Sequence, residues 1–211
     1  MANVDAPFGF KPVGELGSNI QNSGTTKYRI EDNQTGAIYQ GDPVFVGDGS
    51  DAGAAVTPSA GYVASAAATN ICCIGIFNGC FYIDPTSGKP TWSNYYPGAI
   101  NITEGTIDAY VYDDPNKLFV VQASGTLTYA SAVNNNIDMA AYVAGSTING
   151  QSKTELAAAV TASGATAQFV VMGLTGDPAN TMRLLQTRTG LLDLTNIVII
   201  TMLLIHSNLG R

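Results

Sequence analysis

The chain predicts an all-β fold, a mainly antiparallel sandwich or barrel with one short helix near 152–163 and an extended N-terminal arm. Three observations predict it. Apolar residues fall in short runs rich in β-branched and aromatic side chains, the runs are bounded by Gly, Pro, Asp and Asn, and strands do not alternate with long helical patterns. At 211 residues the chain has room for one domain with a sizeable core. No solenoid-type repeat and no interdomain linker is visible, so residues 26–211 read as a single β-rich domain preceded by an arm at 1–25.

The arm, "MANVDAPFGFKPVGEL" and onward, is rich in Gly, Pro, Asn and Ser and lacks apolar periodicity. Its two prolines favour extended backbone. Phe8, Phe10, Pro12 and Val13 give it something to bury, so it is either disordered or laid across a neighbour. From Thr26 the pattern turns to strand: "TKYRI", then "AIYQ" ahead of a Gly41-Asp42-Pro43 turn, then "VFVG". A glycine-rich loop follows at 47–55, then "GYVASAAA" and "ICCIGIF". The Asn78-Gly79 pair between apolar runs predicts a two-residue hairpin turn that pairs Phe77 with Cys80 and Ile76 with Phe81 and sets Cys73 near Asp84.

In "TIDAYVY", Ile107, Ala109 and Val111 share one face and Tyr110 and Tyr112 the other. "DDPN" reads as a turn, and "KLFVVQA" as the strand that returns beside it in a hairpin. "GTLTYASAV", "DMAAYVAG" and "AQFVVMGLT" are further strand candidates. The helix is placed by Ser152 and Glu155, spaced as a capping box, by the Leu-Ala-Ala-Ala run and by Gly164 as a stop. The terminal "LTNIVIITMLLIH" is continuously apolar, which means a strand buried on both faces or a segment covered by a neighbouring subunit.

Composition narrows function. Charged residues are 12% of the chain, about half of the usual ~25%, so much of the neutral polar surface is expected to meet other protein. Net charge is −7 without any cluster of Lys or Arg, which argues against nucleic acid as a partner. No signal peptide or membrane-spanning run is evident, and the expectation is a protein made in a cytoplasm without membrane association. The three cysteines, an odd number, form no disulfide framework. Cys72 and Cys73 lie on opposite faces of a strand and Cys80 completes no CxxC pair, so buried thiols are expected rather than a metal site.

The single histidine, His206, removes most catalytic layouts, and no GxSxG motif accompanies it. Asp48 and Asp51 in "GDGSDAG" lack the closing Glu of a calcium loop. Adjacent Asp113 and Asp114 read as turn formers rather than an acid/base pair. Phosphate-binding glycine motifs are missing. The reading is a non-enzyme with no cofactor and no metal. Trp92, Tyr95 and Tyr96, with Phe81 and Tyr82, form an aromatic group of the sort found at protein interfaces or sugar sites, and the low charge favours the interface.

The opening "MANVDAPFGFKPV", then "GDPVFV", "GIFNGCFYIDPTSGKPTWSNYYPG", "DDPNKLFVVQ", "GQSKTELA" and "VVMGLTGDPAN…IVIITMLLIH" resemble structural head proteins of tailed bacteriophages, marine and cyanobacterial phages included, of the capsid decoration or cement type. The resemblance implies a small β-rich homo-oligomer, a trimer in preference to a dimer, on the outside of an expanded icosahedral shell. There it would bridge neighbouring major capsid subunits, with Phe8, Phe10, Pro12 and Val13 of the arm on the shell and Trp92, Tyr95 and Tyr96 at a subunit or partner interface. The closing "NIVIITMLLIH" departs from the alternation expected ahead of the histidine. The alternative reading is a carbohydrate-binding β-sandwich of a virion tail or adhesin, carried by the same three aromatic residues.

Overall fold

A computed structural model describes residues 6–17, 24–30, 36–46, 56–58, 73–100, 105–140, 142–161, 169–175 and 197–202. These residues form two six-stranded sheets, and all the strand pairs within them are antiparallel. The all-β prediction holds. Sheet A has the order β1 (Lys11–Glu15), β8 (Lys117–Gln122), β12 (Ile197–Met202), β11 (Phe169–Leu174), β9 (Asn136–Met139), β10 (Leu156–Thr161). Sheet B runs β2 (Thr26–Ile30), β7 (Ile107–Tyr112), β5 (Cys73–Ile83), β3 (Pro43–Val46), β4 (Val56–Pro58), with β6 (Pro90–Ser93) paired to the far end of β5.

The expected arm is in part a core element. Phe10 is 2% exposed and packs between Phe119 and Phe169, at ring-centroid distances of 6.4 and 5.0 Å. The following β1 pairs with β8, and a buried Lys117–Glu15 ion pair at 3.2 Å fastens it there. Pro12 falls on an edge strand of the sheet, where prolines within sheets are mostly found. The stretch that lacked periodicity is short enough for one aromatic anchor and one ion pair to hold it.

Two expected hairpins are absent, for different reasons. Asn78-Gly79 makes no turn: β5 runs through it unbroken, and the pair instead opens a β-bulge, since Phe77 faces Val111 and Gly79 faces Tyr110. The "DDPN" turn forms, with Asp114 Oδ1 accepting from the Asn116 N–H at 2.8 Å and the Asp114 carbonyl accepting from the Lys117 N–H at 3.1 Å. It carries the chain from β7 in sheet B to β8 in sheet A rather than folding the two strands together. Asp113 meanwhile accepts from Thr26 Oγ1 at 2.8 Å and Tyr28 Oη at 2.9 Å, which ties that corner to β2.

The helix prediction is overturned. Leu156–Thr161 is strand β10, and Leu156 pairs with Met139. Ser152 does not cap: its hydroxyl donates to buried Asp42 and accepts from the Thr154 N–H, so tertiary bonds displace the capping box. The one helical turn among the described residues is α1 (Tyr129–Ala132), inside a stretch expected to be strand; Thr128 Oγ1 caps it by accepting from the Ser131 N–H at 3.3 Å. "AQFVVMGLT" does supply β11, "DMAAYVAG" only the end of β9, and the apolar C-terminal run supplies β12, an interior strand between β8 and β11 as its continuous apolarity predicts. The "GYVASAAA" strand, the 47–55 loop, Cys72, Gly164 and His206 lie outside the described residues.

Two buried clusters hold the sheets. One centres on Phe10, Phe119, Val121, Ile137, Phe169 and Val171 of sheet A and takes in Cys73 and Ile76 of β5. The other gathers Phe77, Cys80, Ala109, Val111, Ile38 and Tyr96 on the opposite face of sheet B. Ile107, Ala109 and Val111 are indeed on one face and fully buried. β5 therefore contributes to both cores, Ile76 to one and Phe77 to the other, as successive residues of a strand must.

Candidate functional site

Among the described residues, the face of sheet B that carries Tyr110 and Tyr112 is covered at one end only. At Tyr112 it packs on Phe119 of sheet A at 6.4 Å. One step along, Tyr110 meets Trp92 at 5.1 Å, and from there the face is open. Register fixes what stands on it. Trp92 is directly opposite Phe81, Phe81 is opposite Asp108, and Ile83 is opposite Pro90, so these residues share the face with Tyr110. Trp92 is 53% exposed, Phe81 37% and Ile83 41%.

Gly79 explains how Trp92 lies. A Cβ there would come within 2.7 Å of Trp92 Cζ2 and 2.9 Å of the Ser93 carbonyl oxygen. The indole covers the glycine, which leaves the ring flat over the sheet beside Tyr110. At the β2 side the rim is charged: Lys27 Nζ lies 2.7 Å from Asp108 Oδ2, and Arg29 stands exposed opposite Asp108. An apolar centre with a polar rim is the anatomy of a protein interface.

The other predicted site residues divide. Tyr96 is fully buried in the second core, pairs with Ile38 through two backbone bonds and accepts from the Ile100 N–H at its hydroxyl, so it cannot be an interface contact. Tyr95 is half-buried and stacks on Tyr39, with centroids 5.8 Å apart and planes 6° from parallel. Neither joins Trp92 in an exposed platform. Phe10, in the first core, is likewise removed from the surface candidates. Phe8 is half-buried beneath the Lys11 ammonium at 4.6 Å, while Pro12 and Val13 are exposed on β1. Sequence reasoning missed Ile83 and Tyr110 as members of the face; alternation of Phe81 with Ile83 was the available signal.

The described cysteines are packing residues. Cys73 is buried in the first core and Cys80 in the second, and burial pushes the Cys80 thiol up to about 12, far from a reactive thiolate. Among the described residues no group of three His, Cys, Asp or Glu side chains could hold a metal ion, and no helix is long and apolar enough to cross a membrane.

Among the described residues, the deeply buried carboxylate with a full set of donors is Asp42, 1% exposed. It accepts from Ser152 Oγ at 2.5 Å, Thr154 Oγ1 at 3.0 Å and the Tyr39 N–H at 2.8 Å. Desolvation raises its pKa, and these three bonds oppose the rise. Its neighbours bond outward: the Gly41 N–H to the Phe77 carbonyl, the Phe77 N–H to the Asp42 carbonyl, the Phe10 N–H to the Gly41 carbonyl and the Ser152 N–H to the Gln40 carbonyl. Asp42 is the knot where the N-terminal segment, β5 and the 150–154 segment meet. No family model, no curated protein and no solved structure matches the chain.

Proposed function

We propose that the protein is a non-enzymatic capsid decoration protein that docks by the open face of sheet B onto a repeated protein lattice, cementing neighbouring major capsid subunits on the outside of an expanded phage shell. The observation that carries the docking reading is the contiguous exposed group of Phe81 and Ile83 on β5 and Trp92 on the paired β6, on the face of β5 opposite its core residues Phe77 and Cys80. A face of this kind with a polar rim marks an interaction site. The low charge and the resemblance of the sequence to phage head proteins supply the setting.

Cementing follows from mass action. A protein that binds the assembled, expanded lattice and not the free subunit stabilises the lattice by its binding free energy. Modest contacts suffice when symmetry repeats them and the docked unit is itself an oligomer, here a trimer in preference to a dimer. Of the N-terminal candidates, Phe8, Pro12 and Val13 remain available for a shell contact, and Phe10 serves to fix the strand that presents them. The glycan alternative is the weaker reading for the aromatic group, because Tyr96 is internal and one ring face of Tyr95 is occupied by Tyr39.

The test adds purified protein to undecorated expanded shells and measures co-sedimentation and resistance to heat. Wild type is expected to bind and to protect, and Trp92→Ala together with Phe81→Ser to abolish both while the melting curve stays that of a folded domain. Binding that is indifferent to both substitutions would remove the face, and no binding to any expanded shell would remove the cement reading.

A further inference from the structure

A second surface feature lies at the junction of the two sheets. Residues 8–12, the 40–41 turn, β5, Tyr112 and Gln151 enclose a cleft of about 330 Å³, at the lower end of the roughly 300–1,000 Å³ range of small-ligand sites. Phe8, Pro12 and Tyr112 contribute the apolar lining that solvent reaches, over a floor of buried Phe10, Ile76 and Phe77, and three primary amides, Gln40, Asn78 and Gln151, contribute polar lining.

The amides are arranged as a set. Gln40 Nε2 donates to Asn78 Oδ1 at 3.0 Å. This leaves Gln40 Oε1 as an acceptor and Asn78 Nδ2 as a donor with no side-chain partner among the described residues. Gln151 Oε1 accepts from Asn149 Nδ2 at 3.3 Å, which leaves Gln151 Nε2 as a further donor. The cleft thus offers acceptor and donor side by side without formal charge. The one ionic group in its lining, Lys11, has its ammonium 4.6 Å above the Phe8 ring.

Asn78 is the residue whose position the fold does not otherwise require. Phe77 and Gly79 face Val111 and Tyr110, which are consecutive on β7. A strand without Asn78 would therefore keep Phe77 and Cys80 inside and Gly79 outside. The inserted residue adds nothing to the burial pattern, and its side chain lines the cleft; re-aiming a side chain at a site is what a bulge does. The opposite wall is held rigid by the Gly41 and Phe77 backbone bonds, 2.8 and 2.9 Å, and by Gly41 at φ 93°, where a Cβ would lie 3.0 Å from the Phe10 nitrogen. A wall fixed before binding lowers the ordering cost of binding.

We propose that this cleft binds a neutral saccharide unit, with the amides of Gln40, Asn78 and Gln151 reading adjacent hydroxyl groups and the apolar lining receiving the C–H face of the ring. Each hydroxyl both donates and accepts, so a vicinal pair satisfies an amide oxygen and an amide N–H together. A phosphorylated or otherwise anionic ligand would want the cationic cluster that the cleft lacks. The site is distinct from the open face of sheet B, and the two have separate tests.

The experiment is saturation-transfer NMR on the intact chain with methyl α-glucopyranoside, methyl β-galactopyranoside, methyl α-mannopyranoside and N-acetylglucosamine as probes at millimolar concentration. Transfer to at least one probe is expected, with displacement of the side-chain amide resonances of Asn78, Gln40 and Gln151. Asn78→Ala is expected to weaken that binding about tenfold, and Gln151→Ala, at the cleft edge, to weaken it in a protein with an unchanged melting curve. Shell binding should survive both. Absence of transfer to every probe overturns the proposal, as does transfer that persists in both variants or that is lost in Trp92→Ala instead.

Discussion

The two faces of sheet B are made by alternate residues of the same strands and have opposite fates. On one, Phe77, Cys80, Ala109 and Val111 are sealed by Ile38 and Tyr96. On the other, Tyr112 is covered by sheet A, and Tyr110, Phe81, Ile83 and Trp92 continue beyond the covering. Composition does not separate them, since both are aromatic and aliphatic. What separates them is the reach of the second layer. An open face that continues an inter-sheet interface is already shaped to be packed against, which is why it is the better candidate for a partner than exposed loops such as that around Ile148.

The sharpest break in the comparison is truncation on the sealed face. Phe77→Ala removes a fully buried ring and is expected to destabilise by about 3–5 kcal/mol, the usual range for a core Phe. Chemical denaturation measures it as a fall in midpoint at unchanged slope. A loss below about 1 kcal/mol would mean that Phe77 is not core.

Next is the knot that joins the two sheets. Asp42→Asn keeps an oxygen for Ser152 and Thr154 but turns an amide donor towards the Tyr39 N–H, or the reverse, and either way leaves buried polar groups unmatched. The expected loss is about 1–3 kcal/mol. Asp42→Ala should be the more damaging, because it strands both hydroxyls and the amide together. Equal stability of wild type and Asp42→Ala would show that the knot is dispensable.

Much of this division was legible in the sequence and some was not, for reasons that individual residues make plain. The alternation Ile107, Ala109, Val111 against Tyr110, Tyr112 assigned the two faces of β7 correctly, because period two is intrinsic to a strand. The apolar C-terminal run gave an interior strand for the same kind of reason. Asn78-Gly79 misled because the residues that favour a turn also favour a bulge, and the choice is made by a partner strand more distant in sequence, Gly79 facing Tyr110. Ser152 misled because its hydroxyl has a better acceptor in Asp42, 110 positions distant. Of the candidate site, Trp92 and Phe81 were legible as members of an aromatic group. Tyr96 and Phe10 were not separable from them, because an aromatic residue on a loop has no period to say which way it points.

On the open face the expectation reverses. Trp92→Ala gives up partial packing on Gly79 and Tyr110 only, and stability should fall by no more than about 1 kcal/mol, while docking on expanded shells is lost. A Trp92 variant as unstable as Phe77→Ala would erase the distinction between the faces, and calorimetry of the two side by side decides it.

The smallest expected effect is a pH dependence that belongs to the closed side. Desolvation raises the Asp42 pKa above its unfolded value, and the bonds from Ser152, Tyr39 and Thr154 only partly oppose it. A carboxyl group raised in this way contributes stability that is fully present below its unfolded pKa and is lost as pH rises through the folded one. Asp138, raised by partial burial, acts in the same sense. Asp84, lowered by bonds from Ser87 and the Thr86 N–H, acts in the opposite sense, but its contribution is lost only as pH falls below the unfolded carboxylate range. Above that range and below neutrality the Asp42 contribution therefore governs, and the melting temperature should rise slightly from pH 7 to pH 5. In Asp42→Asn, where nothing titrates at the knot, the rise should shrink to what Asp138 provides. A wild-type melting temperature that does not rise over this interval, or that rises equally in Asp42→Asn, would mean that the three donors offset desolvation and hold Asp42 ionised.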